Sequence, residues 1–125
     1  SDLAMTLLYI GRVKTAQGDY TSSEAALNNS KNINIALYGI AYDGLYTVEE
    51  ELGNLNASYF KKTRDSYYLV KSLNHYDSAT HKIRNKLINK KEPAEIRKLL
   101  IDAVSIFEKY ITTHLKLNNG TKYNL

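Results

Sequence analysis

The residues best suited to chemistry lie in the stretch RVKTAQGDYTS: Arg12, Lys14, Thr15, Gly18, Asp19, Thr21 and Ser22. Two cations, a glycine and hydroxyls ahead of a helix start are the parts of a phosphate-binding loop. Lysine supplies charge, glycine lets backbone N–H groups approach, and hydroxyls donate hydrogen bonds. This predicts a nucleotide or other anionic ligand held by residues 12–22. A solvated loop is the commoner use of the same composition.

A second cationic feature is the run HKIRNKLINKK, His81 to Lys91. Lys82, Lys86 and Lys90 recur every four residues and make one stripe on a helix, with Ile83 and Leu87 on another face. Such a stripe can follow a nucleic-acid backbone or dock a protein surface. The plainer reading is the solvated face of an amphipathic helix. No helix-turn-helix spacing or aromatic platform accompanies it, so nucleic acid is the less favoured partner. A protein- or nucleic-acid-interaction module built on residues 82–91 is the alternative function.

Other constellations exclude more than they suggest. His75 and His81 are six positions apart and do not share a helix face, while Asp77 and His81 make only two ligands. No metal centre is expected. Glu49, Glu50 and Glu51 project about 100° apart on a helix, so they cannot converge on one ion and read as a solvated acidic turn. There is no cysteine, which removes thiolate catalysis and disulfides. No Walker loop, dinucleotide fingerprint or Gly-x-Ser-x-Gly elbow is present.

Periodicity predicts helices to position these residues. Leu3, Leu7, Ile10 and Val13 mark a short first helix over 2–14. A polar connection, TAQGDYTSSEAALNNSKN, follows, and its Thr21-x-x-Glu24 matches a capping box for a turn of helix over 22–27. Asn32 to Leu55 is expected as the central helix. Tyr38, Ala41, Leu45, Val48, Leu52 and Leu55 form its buried seam, Asp43, Glu49 and Glu50 face water, and Gly53-Asn54 closes it. Asn56 caps the next helix, which reaches about residue 89 with a kink or break at 74–77.

Pro93 opens the last helix, whose seam reads Ile96, Leu100, Ala103, Phe107, Tyr110, His114 and Leu117. Leu99 and Ile106 widen it, and Asn118-Asn119-Gly120 stops it ahead of a loosely held tail at 121–125. The expected architecture is a single all-α domain over 1–125. It is an up-and-down four-helix bundle with a polar connection after a short first helix.

Charge is divided unevenly. Residues 1–57 carry three bases and seven acids, a net of −4, and residues 58–125 carry fourteen and six, a net of +8. Opposed halves of this kind predict a homo-oligomer. The apolar run Leu7 to Ile10 is too short for a signal or membrane helix, so the expectation is a cytoplasmic protein without a membrane partner.

Lys14-Thr15, Gly18-Asp19 and Thr21-Ser22, followed by Leu37-Tyr38-Gly39, resemble the start of the trimeric helical-bundle cob(I)alamin adenosyltransferases. In that family a Thr-Gly-Asp loop wraps the ATP triphosphate, and Ala-Tyr-Gly-Thr-Val-Asp-Glu-Leu opens the first long helix. Tyr46-Thr47-Val48-Glu49-Glu50 fits the second motif as well. The resemblance covers about residues 12–53 and implies an adenosyltransferase-like topology. The family's arginine-rich helix has no counterpart. In length the chain is more similar to small all-helical archaeal families that share the bundle without that catalytic set.

Overall fold

Short polar side chains cap three of the helix starts in the computed structural model. It describes residues 1–90 and 92–123, with side chains as far as Asn119. Ser1 Oγ accepts from the Ala4 N–H, Asp19 from Ser22 and Asp65 from Tyr67, satisfying amide groups that a helix start leaves unpaired. The helices are α1 (Asp2–Ala16), α2 (Tyr20–Tyr38), α3 (Tyr46–Thr63), α4 (Ser66–Ile88) and α5 (Pro93–Tyr123). A single 3-10 turn, Asp43–Leu45, precedes α3. The all-α expectation holds, with no strand among the described residues. None of these helices is long and apolar enough to cross a membrane.

Several predicted boundaries move, and the four expected principal helices become five among the described residues. The polar connection is itself helical. Only Gln17 to Asp19 interrupt α1 and α2, with Gly18 at φ +78° making the turn. Asp19, rather than Thr21, caps α2. The expected helix over 32–55 is broken at Gly39, whose φ of +91° ends α2. Two of the three glycines in that stretch, Gly39 and Gly44, lie at the break, and each disfavours a helix interior.

Downstream, Gly53, Asn54 and Asn56 lie inside α3, which closes instead at Arg64 in the left-handed conformation. α4 passes through 74–77 without interruption, and α5 continues past Asn118-Asn119-Gly120. Lys91, Asn124 and Leu125 lie outside the described residues.

The same packing device joins two pairs of helices. In α1–α2, Gly11 faces Leu27, and Ser23 Oγ donates to Gly11 O at 2.8 Å. In α3–α4, Gly53 faces the Tyr76 ring, and Ser72 Oγ donates to Gly53 O at 2.8 Å. Each glycine admits a large side chain placed four residues after the serine. A Cβ on Gly11 or Gly53 would collide with that side chain. Ser30 Oγ ties α2 further to Ala4 O at 2.6 Å.

The hairpin α1–α2 packs on α3, α3 pairs with α4, and α4 with α5. Two apolar cores result. Leu8, Leu27, Leu45, Val48, Leu52 and Leu55 join α1, α2 and α3. Tyr46, Tyr76, Ala79, Ile83, Leu99 and Ile106 join α3, α4 and α5. α3 belongs to both.

The seam expected in the second half of the central helix is therefore buried, whereas Tyr38 is 54% exposed. On α5 the buried row is Leu99, Ile106 and Thr113, and Leu100 and Phe107 are about half exposed. Of the expected α5 stripe, Leu99, Ala103, Ile106 and Tyr110 face the core, whereas Leu100 and Phe107 do not.

Candidate functional site

Three consecutive glutamates on α3 organise the polar interior, and water does not surround them as expected. Their fan of about 100° per residue sends each to a different helix. Glu49, 3% exposed, receives Lys31 Nζ of α2 at 2.6 Å and His75 Nδ1 of α4 at 2.8 Å. Glu50 pairs with Lys109 of α5 at 2.6 Å, and Glu51 with Arg12 of α1 at 2.8 Å. Burial pushes the Glu49 carboxyl up, but the hydrogen bonds from His75 and Lys31 outweigh it and hold the group below its ordinary range.

Glu51 also accepts from Asn54, whose Oδ1 takes the Tyr76 hydroxyl proton at 2.6 Å. Burial drives the Tyr76 hydroxyl well above its ordinary value, which keeps it a donor. No three His, Asp or Glu side chains are grouped to hold a metal among the described residues.

This network closes one end of an open groove of about 520 Å³ between α3 and α5. Asn54, Ser58 and Lys61 of α3 form one wall, and Ser105, Glu108, Lys109, Thr112 and Lys116 of α5 form the other. Tyr76 and Thr113 lie at its floor and are 2% and 5% exposed. Lys109 is engaged by Glu50. Lys61 and Lys116 have no ion-pair partner among the described residues. Two uncommitted cations, backed by hydroxyl and amide groups of both hydrogen-bonding senses, can receive carboxylates and a peptide backbone together.

A second groove, about 560 Å³, lies between α2 and α4 over α3. Tyr20, Tyr59, Tyr68 and Tyr67 touch in sequence along it, with ring centroids 4.9, 4.3 and 5.3 Å apart. Lys62 covers the Tyr20 ring and Lys71 the Tyr67 ring. Thr21 and Glu24 share the lining.

The residues singled out in the sequence are placed as follows. Arg12 is bound to Glu51, and Lys14 lies 3.9 Å from Asp19. Asp19 caps α2, and its carboxyl is lowered by hydrogen bonds from the Ser22 side chain and backbone. Thr15 Oγ1 lies 2.6 Å from Ser23 Oγ inside the α1–α2 hairpin. Gly18 forms the turn with open space around it, and Thr21 lines the tyrosine groove. Residues 12–22 thus span a helix end, a turn and a helix start.

In the basic stripe, Lys82 reaches Ser78 Oγ at 3.4 Å and Lys86 covers the Tyr46 ring. Lys90 pairs with Glu95 beyond the end of α4. The groove cations Lys61 and Lys116 escaped sequence reasoning because they come from elements 55 positions apart. Only the internal commitment of their neighbours sets them apart. Comparison of the chain with protein-family models, curated proteins and solved structures finds no significant match.

Proposed function

We propose that this chain is an interaction module whose α3–α5 groove binds a short acidic peptide segment. The carrying observation is the pair of uncommitted lysines, Lys61 and Lys116, in a groove whose lining includes Asn54, Ser58, Ser105, Thr112 and Thr113. The wall from Ser105 to Lys116 is about 16 Å long at helical rise, room for roughly five extended residues. Glu108 on the rim, with Glu50 and Glu51 close behind, disfavours a continuous phosphate backbone and suits discrete carboxylates. Charge-assisted bonds of this kind contribute about 1.5–3 kcal/mol each.

Calorimetric titration with a hexapeptide rich in Asp and Glu tests the reading. Lys61→Glu or Lys116→Glu should weaken binding by about ten- to a hundredfold. Equal affinity in wild type and both variants, or no binding at millimolar peptide, rejects it.

A second reading retains a nucleotide ligand and is favoured by the tyrosine groove, where aromatic faces and Lys62 and Lys71 lie together. The adenosyltransferase resemblance and its bundle topology belong to this reading, since Thr21 lines that groove. Titration with ATP separates the two. Lys71→Ala should weaken nucleotide binding while leaving acidic-peptide affinity unchanged. A homo-oligomer in the cytoplasm is compatible with either reading.

A further inference from the structure

α5 carries more apolar surface than its partners cover. Leu99, Ile106 and Thr113 face the interior at heptad spacing. Leu100, Val104, Phe107, Ile111 and Leu115 form a second row and are between 42% and 57% exposed. At about 100° per residue this row lies roughly 130° around the helix from both the buried row and the groove-lining row. Ile101, 64% exposed, widens it.

We propose that this face is covered by α5 of a second copy of the chain, running antiparallel about a two-fold axis. Two observations select that occupant. The first is symmetry within the row. About a midpoint between Phe107 and Glu108, Leu100 falls opposite Leu115, Val104 opposite Ile111, and Phe107 beside its own mate. A two-fold interface must be complementary to itself, and this row is. Parallel pairing would instead carry His114 and Asn118 in the seam and leave Leu115 beside it.

The second observation is size. Six apolar side chains about half exposed present on the order of 600 Å² per copy, or about 1,200 Å² in the pair, the lower end for a specific interface. That extent supports a dimer of micromolar affinity. The groove lies on another side of α5 and stays open.

Sedimentation of the full chain between about 1 and 200 µM should show a monomer–dimer equilibrium. Val104→Glu or Ile111→Lys should each shift dissociation at least tenfold towards monomer. Circular dichroism and the melting temperature at micromolar dilution should not change.

Because the chain has no cysteine, introduced thiols report the orientation. Leu100→Cys mixed with Leu115→Cys should form a disulfide-linked pair under mild oxidation, whereas Leu100→Cys alone should not. A monomer at every concentration overturns the proposal. So does a trimer, efficient self-crosslinking of Leu100→Cys, or a dimer lost on Ile10→Lys in the exposed α1 face but kept on Ile111→Lys.

Discussion

Glu49 shows how a charged residue can be a buried polar anchor of a small helical protein. Lys31 and the His75 ring meet it at 2.6 and 2.8 Å, so the cost of taking its charge out of water is offset by hydrogen bonds on both oxygens. Glu49→Gln should lower stability near neutral pH by about 1.5–3 kcal/mol in denaturant unfolding. The pH sign follows from the direction of the shift. The folded carboxyl titrates below its ordinary value of 4.5, so its contribution is complete above that value and is lost as pH falls through the folded pKa. Unfolding curves between pH 7 and 3 should therefore fall more steeply for the wild type than for Glu49→Gln. Parallel curves would reject the assignment.

Sequence reasoning recovered the angular fan of the three glutamates but misjudged their surroundings. Their partners His75, Arg12 and Lys109 stand 26, 39 and 59 positions away, beyond any local spacing rule.

At the scale of single helices, α5 was legible as a helix but only partly in its rotation, since Leu99, Ala103, Ile106 and Tyr110 face the core and Leu100 and Phe107 do not. Two adjacent faces are apolar, so periodicity alone could not choose between the row containing Leu99 and the row containing Leu100. Leu99→Ala and Ile106→Ala should each cost about 2–5 kcal/mol. At dilutions where the chain is monomeric, Leu100→Ala and Phe107→Ala should stay within about 0.5 kcal/mol of wild type. Thermal or urea unfolding of the four variants checks the rotation, and equal losses across both rows would refute it.

The break between α2 and α3 was hidden for a related reason. A continuous apolar seam outweighed Gly39 and Gly44 in the reading, and the backbone followed the glycines. The small residues that let helices touch were equally quiet, since Gly53 looked like a helix end. Gly53→Ala should destabilise by about 1–3 kcal/mol, because the buried Tyr76 ring must move to admit a methyl group. A neutral result in urea titration would show that the ring yields freely.

For the molecule as a whole, the all-α class followed from composition and periodicity, while the grooves did not. The α3–α5 groove joins residues near 58 to residues near 112, and only the packing of α3, α4 and α5 brings them together. Local contacts place the residues of the expected phosphate loop. Asp19 is taken up as a cap, Lys14 lies beside it, and Thr15 faces into the hairpin.

The two apolar cores share α3, and that arrangement has a consequence for how the protein opens. Helices sharing a core protect one another's amides, so stability should come in two cooperative units. Release of α1 and α2 exposes the first core but leaves Tyr46, Tyr76, Ile83 and Ile106 packed. Amide hydrogen exchange should therefore show α1 and α2 exchanging together at a lower opening free energy than α4. Leu27→Ala should accelerate the first group while sparing the second. The α3–α5 groove lies wholly within the second unit, so the chain should keep that groove intact while its α1–α2 hairpin breathes.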